Sequence, residues 1–466
     1  MSTIQLQFEG AAQTVTGSQT LVRYNGSAIL VDCGLYQGPK PMRLLNWNKP
    51  DFLDDVQCMI ITHAHIDHSG LIPKWYQWGW RGPIYCTAPT ADLLTIMLPD
   101  SARLQEEDAR FARKTKHSKH SNPLPLYTEE EANAALRLVE PKSWEQWHNI
   151  LSDLECRFMR SGHILGSAIV QLRRPNGKGT KKIITFSGDL GGGHSDILKP
   201  PEKIKESDVV VLESTYGDRK VEVEGREERL CNVINKVIGR GGTRVVPAGA
   251  LGRAQDLLFS IYQLDQKKLI PDVPVYLDSP MANSVTKLYL KHVKELCLSS
   301  SEHHNGNHIE ESLSTRFFNG VESPDDSMLL CMSDEPKIVL SASGMLQGGR
   351  VLHHLKSKLP HEKNGVLFVG YQGKDTKGRL LLDGIPSLRI HHFEVEIRAE
   401  IFNIDGYSAH GDADDLMDWL SFVKPKPSNL FLNHGEFEAQ TVFAKRISDN
   451  LQIEAQVPAL HQVFSV

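Results

Sequence analysis

The stretch Cys58-Met59-Ile60-Ile61-Thr62-His63-Ala64-His65-Ile66-Asp67-His68-Ser69-Gly70 decides the fold of this chain. An apolar β-type run stops at Thr62, and three imidazoles and a carboxylate follow within six residues. A loop of this composition leaving a strand offers nitrogen and oxygen donors that suit divalent zinc, and it can serve two ions from one turn. One loop cannot complete two coordination shells, because each zinc takes three or four protein ligands plus a water. Further donors must therefore come from other parts of the chain.

Candidates stand where other apolar β-type runs stop. Asp32 follows AILV, Asp189 follows IITFSG, Glu213 follows VVVL, His410 follows IFNIDGYSA and His434 follows NLFLN. His163 lies in SGHILGSA, just before the run AIVQL. Taken singly each is a common turn or surface residue. Loops at strand ends can bring them together on one face while the strands hold them rigid, which gives the set a shared explanation.

Working outward, the chain has 466 residues, which predicts two or three domains, and its 40% apolar and 23% charged content is that of a globular protein. No apolar run reaches the roughly 20 residues of a membrane span, and the start MSTIQLQFEG lacks a signal-peptide pattern, so a cytoplasmic protein without membrane association is expected. The seven cysteines are odd in number, scattered and never in CxxC, which fits free thiols in a reducing compartment. Lys and Arg number 52 against 57 Asp and Glu, so no global positive field advertises a polyanion, and any such substrate must be held locally.

The first third reads as strands with tight connections, followed by a helix over about 90–112 and a second helix capped by Thr128 and Glu131. Strands return from Cys156, with a turn at Pro175-Asn176-Gly177. From VVVLESTYGD onward strand and helix alternate, which predicts a parallel sheet flanked by helices. Residues 299–312 are polar and predict an exposed loop despite His303, His304 and His308. The last segment, from IRAEIFNIDGYSAH to VFSV, returns to strands and resembles the first third.

HAHIDHSG, with VDCG before it and SGHILGSA and FSGDLG after it, resembles the metallo-β-lactamase fold. ESTYGD, YSAH, NHGE, SASGM and LGRAQD are similar to motifs of its β-CASP ribonuclease branch, which includes bacterial and archaeal homologues of the nuclease that cleaves mRNA 3' ends before polyadenylation. The resemblance covers essentially the whole chain. It implies an α/β architecture, an αβ/βα sandwich formed by 1–212 plus 395–466 with a β-CASP domain at 213–394. It further implies that His63, His65 and His163 hold one Zn2+, that Asp67, His68 and His434 hold a second, and that Asp189 bridges both. Asp32 would fix the tautomer of a ligand imidazole. Asp67 could also orient the attacking hydroxide, and His410 paired with Glu213 would be the general acid, the carboxylate keeping the imidazole protonated. A histidine in NHGE favours RNA over DNA within the branch.

The substrate implied is single-stranded RNA. SASGM follows the strand KIVL and precedes a helix beginning near GGR, so the backbone amides around Ser341, Ser343, Gly344 and Met345 are expected to point from a helix N-terminus at a phosphate, or to form an ordinary strand-to-helix turn. Arg253 in LGRAQD, Tyr371 in GYQG and Arg379 in KGR are further candidates for stacking and phosphate contacts. Asp256 stands where the branch usually has Glu, and Lys374, Asp375 and Lys377 depart from its commoner pattern. The basic stretch from Arg110 to His120 is either a grip for RNA or a charged linker. Two other functions remain open: hydrolysis of small esters or thioesters on the same metals, and a catalytically silent RNA-binding subunit. Oligomeric state is also open, a homodimer included.

Overall fold

The computed structural model describes residues 4–115, 122–173, 182–297, 305–373 and 376–466. The turn at 175–177, His303, His304, Lys374, Asp375 and the end of the basic stretch, 116–120, lie outside the described residues. Two compact units are resolved: 1–193 with 200–220 and 410–466, and 194–199 with 221–409.

In the first unit, two seven-stranded sheets are built from runs whose side chains alternate. One sheet has the order Val463–Ser465, Gln5–Phe8, Thr20–Tyr24, Ser27–Val31, Val56–Ile60, Ile84–Thr87, Val139–Lys142. The other runs Ala455–Gln456, Asn429–Asn433, Val209–Glu213, Ile183–Phe186, Ala168–Arg173, Leu154–Arg160, His148–Leu151. Leu6, Phe8, Val22 and Ile60 from the first sheet meet Phe158, Val170, Val211 and Phe431 from the second in one apolar core. The rings of Phe8 and Phe431 lie 5.3 Å apart across it. The other face of the second sheet is covered by the helices Ala413–Ser421 and Phe437–Leu451, which bury Leu416, Leu420, Phe443 and Ile447 against Val210, Leu212 and Leu430. The long helix expected over about 90–112 runs from Ala88 to Thr115. The Thr128–Glu131 capping box forms as its pattern predicts, with Thr128 Oγ1 accepting from the Glu131 amide at 3.2 Å.

The second unit is a six-stranded sheet ordered Asn319–Gly320, Val275–Asp278, Lys337–Ser341, Thr243–Pro247, Gly365–Phe368, Glu400–Asn403, with every pairing parallel. Its strands are nearly continuous apolar runs, as sheets covered by helices require. Helices such as Arg226–Ile238, Arg253–Gln266 and Val351–Lys358 connect them.

The unit boundaries differ from those expected at 212/213 and 394/395. Glu400–Asn403 pairs with Gly365–Phe368 and so belongs to the second unit's sheet, although the sequence reading grouped it with the terminal strands. A short β-type run does not encode which sheet it joins. Residues 213–220 stay with the first unit because Glu213 completes a strand paired to Asn429–Asn433. Conversely 194–199 joins the second: Ser195 Oγ donates to Asp256 at 2.7 Å, and the Ile197 carbonyl accepts from the Cys297 amide at 2.9 Å. The expected loop at 299–312 is also corrected, since Asn305–Ser312 is a helix that buries Ile309 and Ser312. Two buried positions three apart, Ile309 and Ser312, were too sparse a helical signal to read among polar neighbours. All seven cysteines are free. Among the described residues no helix is long and apolar enough to cross a membrane.

Candidate metal centre

Every donor singled out at a strand end in the first unit arrives at one place. Strand Val56–Ile60 delivers His63 and His65, and the short helix Ile66–Ser69 carries Asp67 and His68 one turn further. Ser27–Val31 ends in Asp32, and Asn429–Asn433 ends in His434. Both residues turn through left-handed backbone, at φ 63° and 50°, a conformation that Asp and His adopt more readily than most side chains. His163 is set by Ser167, whose hydroxyl oxygen accepts from the amides of His163 and Ile164 at 3.1 Å each. Gly166 beside it has no room for a side chain: a Cβ would lie 2.6 Å from the Thr90 amide nitrogen.

Four groups converge first. His63 Nε2 and His163 Nε2 each lie 3.1 Å from His65 Nδ1, and they lie 3.5 and 3.4 Å from Asp189 Oδ2. Nitrogen donors about 2.0–2.1 Å from a tetrahedral zinc stand about 3.3–3.4 Å from one another, so this spacing suits a metal. Asp67, His68 and His434 form a second cluster, with His434 Nε2 3.4 Å from Asp67 Oδ2. Asp189 Oδ1 faces it, 3.2 Å from His68 Nε2. Asp189 thus turns one oxygen toward each cluster. His68 Nε2 and Asp189 Oδ1 are buried and have no hydrogen-bond partner among the described residues. Apart from their approach to each other these buried atoms have no hydrogen-bond partner there, and set amid imidazoles they fit a donor set for a cation.

The electrostatics agree. Burial, then the His68 charge, holds His63 well below its ordinary value, and burial lowers His65. Both imidazoles are thereby kept neutral, the form that binds metal. Burial would raise Asp67 and Asp189, but His434 and His68 beside both keep the two carboxylates ionised. Burial would lower His68, but Asp189 and Asp32 outweigh it and hold the ring well above its usual value.

Asp32 accepts from His68 Nδ1 at 2.7 Å, from the Thr62 amide at 2.8 Å and from Thr62 Oγ1 at 3.0 Å. This fixes the His68 proton on Nδ1 and leaves Nε2 for a metal. Thr62 and Thr215, whose hydroxyl lies 3.1 Å from His434 Nδ1, orient ligand rings. Sequence reasoning missed both, because threonines beside ligands carry no spacing signal. At the edge of the site His410 Nδ1 lies 3.1 Å from Glu213 Oε1, with Nε2 4.0 Å from Asp189 Oδ2. Glu213 Oε1 also accepts from the Leu190 amide at 2.6 Å, which locks the carboxylate in place. Burial would lower His410, but the charge and hydrogen bond of Glu213 raise it to about 9.

The residues suggested for RNA contact all lie in the second unit. Arg253 donates to the Val369 carbonyl at 3.1 Å, and Gln372 Nε2 donates to the Gly344 carbonyl at 3.1 Å, which places Arg253, Gly344 and Tyr371 at the ends of neighbouring parallel strands. Met345 and Tyr371 are exposed. Ser341 is buried, its hydroxyl donating to the Asp278 carbonyl at 2.9 Å. Arg379 pairs with Asp383 at 2.9 Å on an exposed helix face. The helix expected near GGR follows SASGM as read, with a turn between them. The helix starts only at Val351, and the amides of Ser343 and Leu346 donate within the intervening turn, to the carbonyls of Gly348 and Ser343.

Two sheets packed face to face, with a histidine- and aspartate-lined pair of clusters at the strand ends, define a metal-dependent hydrolase of the metallo-β-lactamase type. Residues 13–138 match the metallo-beta-lactamase superfamily, 254–381 the Beta-Casp domain, and 394–458 the Zn-dependent metallo-hydrolase RNA specificity domain. The chain belongs to the β-CASP branch of that superfamily. It is 33% identical to Ribonuclease TTHA0252 of Thermus thermophilus over 94% of this chain and 95% of that protein. It is 31% identical to an RNase J-like protein of Methanocaldococcus jannaschii, covering 99% of this chain and 100% of that one. Transcription termination factor FttA of the same organism is 28% identical over 98% of this chain and 70% of its own length. A crystal structure of a protein of unknown function from Enterococcus faecalis shares the fold, with TM-score 0.56 at 14% identity over the whole of both chains.

Proposed function

We propose that this chain is a zinc-dependent ribonuclease that hydrolyses phosphodiester bonds of single-stranded RNA. The observation that carries the reading is Asp189 with one oxygen toward His63 and His163 and the other toward His68, beside the His410–Glu213 pair. His63, His65 and His163 would hold one zinc ion, Asp67, His68 and His434 a second, and Asp189 would serve both. Bound there, zinc would supply an acidified water and a clamp on phosphodiester oxygens.

The chain's own groups complete the chemistry. Asp67, kept ionised by its histidine neighbours, can accept a hydrogen bond from the attacking water and orient it. His410, protonated at neutral pH because of Glu213, stands where it can deliver its Nε2 proton to the leaving oxygen. The relatives named as a ribonuclease and as RNase J-like, and the RNA specificity domain matched at 394–458, support RNA as the polymer. A small-ester hydrolase would leave the His410–Glu213 pair without a task, and a silent RNA-binding subunit would have no use for two full donor sets. The cytoplasm is the compartment proposed.

The test is incubation of zinc-loaded protein with end-labelled single-stranded RNAs, followed by end-group analysis. Cleavage leaving 5'-phosphate and 3'-hydroxyl ends, abolished by His65→Ala, is expected. Turnover of small esters that RNA does not inhibit, or tight RNA binding without cleavage, would refute the reading.

A further inference from the structure

The first unit carries a second cavity that shares no lining residue with the pocket beside the metal clusters. It encloses about 530 Å³, within the range of about 300–1,000 Å³ common for small-molecule sites. Its position follows from the strand pleat. In Gln5–Phe8 and Thr20–Tyr24 the side chains of Leu6, Phe8, Val22 and Tyr24 enter the core between the sheets, so Gln7 and Arg23 emerge on the opposite face. Glu9 and Gln19 extend this polar strip, joined by the bond from the Glu9 amide to the Gln19 carbonyl at 2.9 Å. Facing the strip, Phe52 and Trp78 supply aromatic walls, with Trp75 buried behind them.

The polar groups are held rather than loose. Glu9 is 7% exposed; its Oε1 accepts from Gln7 Nε2 at 2.6 Å, and its Oε2 lies 2.9 Å from His461 Nδ1. A carboxylate has about four acceptor positions, so two remain for a ligand. Trp75 is fully buried, and its Nε1 donor has no partner among the described residues. A buried carboxylate with spare acceptor capacity, planar amides and indole walls suit a flat heterocycle that carries N–H donors along one edge.

We infer that this pocket binds a purine base, guanine foremost, of a nucleotide or an RNA strand. Guanine presents adjacent N1–H and N2–H donors to a carboxylate, while Trp78 and Phe52 offer faces for stacking. Choosing a nucleobase over other flat heterocycles rests on the ribonuclease reading. The pocket itself does not need that reading, because its ligand is detected by binding and not by cleavage.

The experiment titrates GMP into the zinc-loaded full chain by calorimetry, and repeats the titration with Trp78→Leu and with His65→Ala. Ribose 5-phosphate serves as the competitor. GMP should bind wild type and His65→Ala alike, bind Trp78→Leu about tenfold or more weakly, and resist displacement by ribose 5-phosphate. Trp78→Leu should keep the wild-type circular dichroism and the wild-type rate on bis(p-nitrophenyl) phosphate, so that loss of binding is not loss of fold. No GMP binding by wild type, equal affinity in Trp78→Leu, loss in His65→Ala, or displacement by the sugar phosphate would each overturn the inference. Failure of the ribonuclease reading would show separately, as wild-type protein that does not cut RNA.

Discussion

Replacing Asp32 by Asn tests whether the carboxylate behind His68 governs metal affinity. The change is nearly isosteric, and Asn tolerates the left-handed backbone at φ 63°, so the loop should survive. The Asn carbonyl can still accept from the Thr62 amide, now 2.8 Å from the carboxylate. Its NH2 group would face His68 Nδ1, which at 2.7 Å presently donates to Asp32. That bond is lost and replaced by two opposed donors. Asp32 is 3% exposed, so water cannot substitute. Loss of a buried hydrogen bond to a charged group costs about 1.5–3 kcal/mol. At 1.4 kcal/mol per tenfold this is about 10- to 150-fold in affinity, close to the 10- to 100-fold common for such supporting residues. The ion at Asp67, His68 and His434 should weaken by that factor, and the ion at His63, His65 and His163 much less. Competition against a zinc chelator resolves the two, and excess zinc should restore most of the cleavage activity. Two unchanged affinities, or equal loss of both ions, would refute the reasoning.

Four other perturbations have definite outcomes. His410→Ala should keep its zinc by elemental analysis while cleavage slows by about 10² to 10⁴. As a general acid His410 acts protonated, so the rate should fall as pH rises through its pKa; Glu213→Gln removes the charge that raises that pKa and should move the descending limb of the pH–rate profile to lower pH. In the metal-free protein His68 holds its proton above the ordinary imidazole range, so zinc binding must displace it, and calorimetry in buffers of different ionisation enthalpy should show proton release and affinity rising with pH. Phe158→Ala, at a fully buried position in the core between the sheets, should cost about 3–5 kcal/mol in urea unfolding.

The sequence makes some of this site plain and leaves other parts dark. His63, His65, Asp67 and His68 are legible because one loop compresses four donors into six residues, a pattern with few other uses. Asp189, His410 and His434 are visible only as residues where apolar runs stop, and His163 only as one that precedes such a run. Their convergence is a property of the two sheets, and the family resemblance selected them from other strand ends. Asp32, Thr62 and Thr215 differ in this respect: the first matched a motif, whereas the threonines act through hydrogen bonds that any loop hydroxyl could make. SASGM shows the opposite failure. Its strand and following helix were read correctly, but the five residues between Met345 and Val351 separate it from the helix, and the Ser343 amide is taken up by the Gly348 carbonyl. Glu400–Asn403 shows that β-propensity locates a strand without saying which sheet will accept it.

The central claim is that Asp189 stands between two bound metal ions. Zinc-edge anomalous diffraction from crystals of the zinc-loaded protein tests it most directly. Two peaks about 3.5–4 Å apart, one on each side of the Asp189 carboxylate, are predicted. A single peak, or two peaks with Asp189 touching neither, would contradict the account.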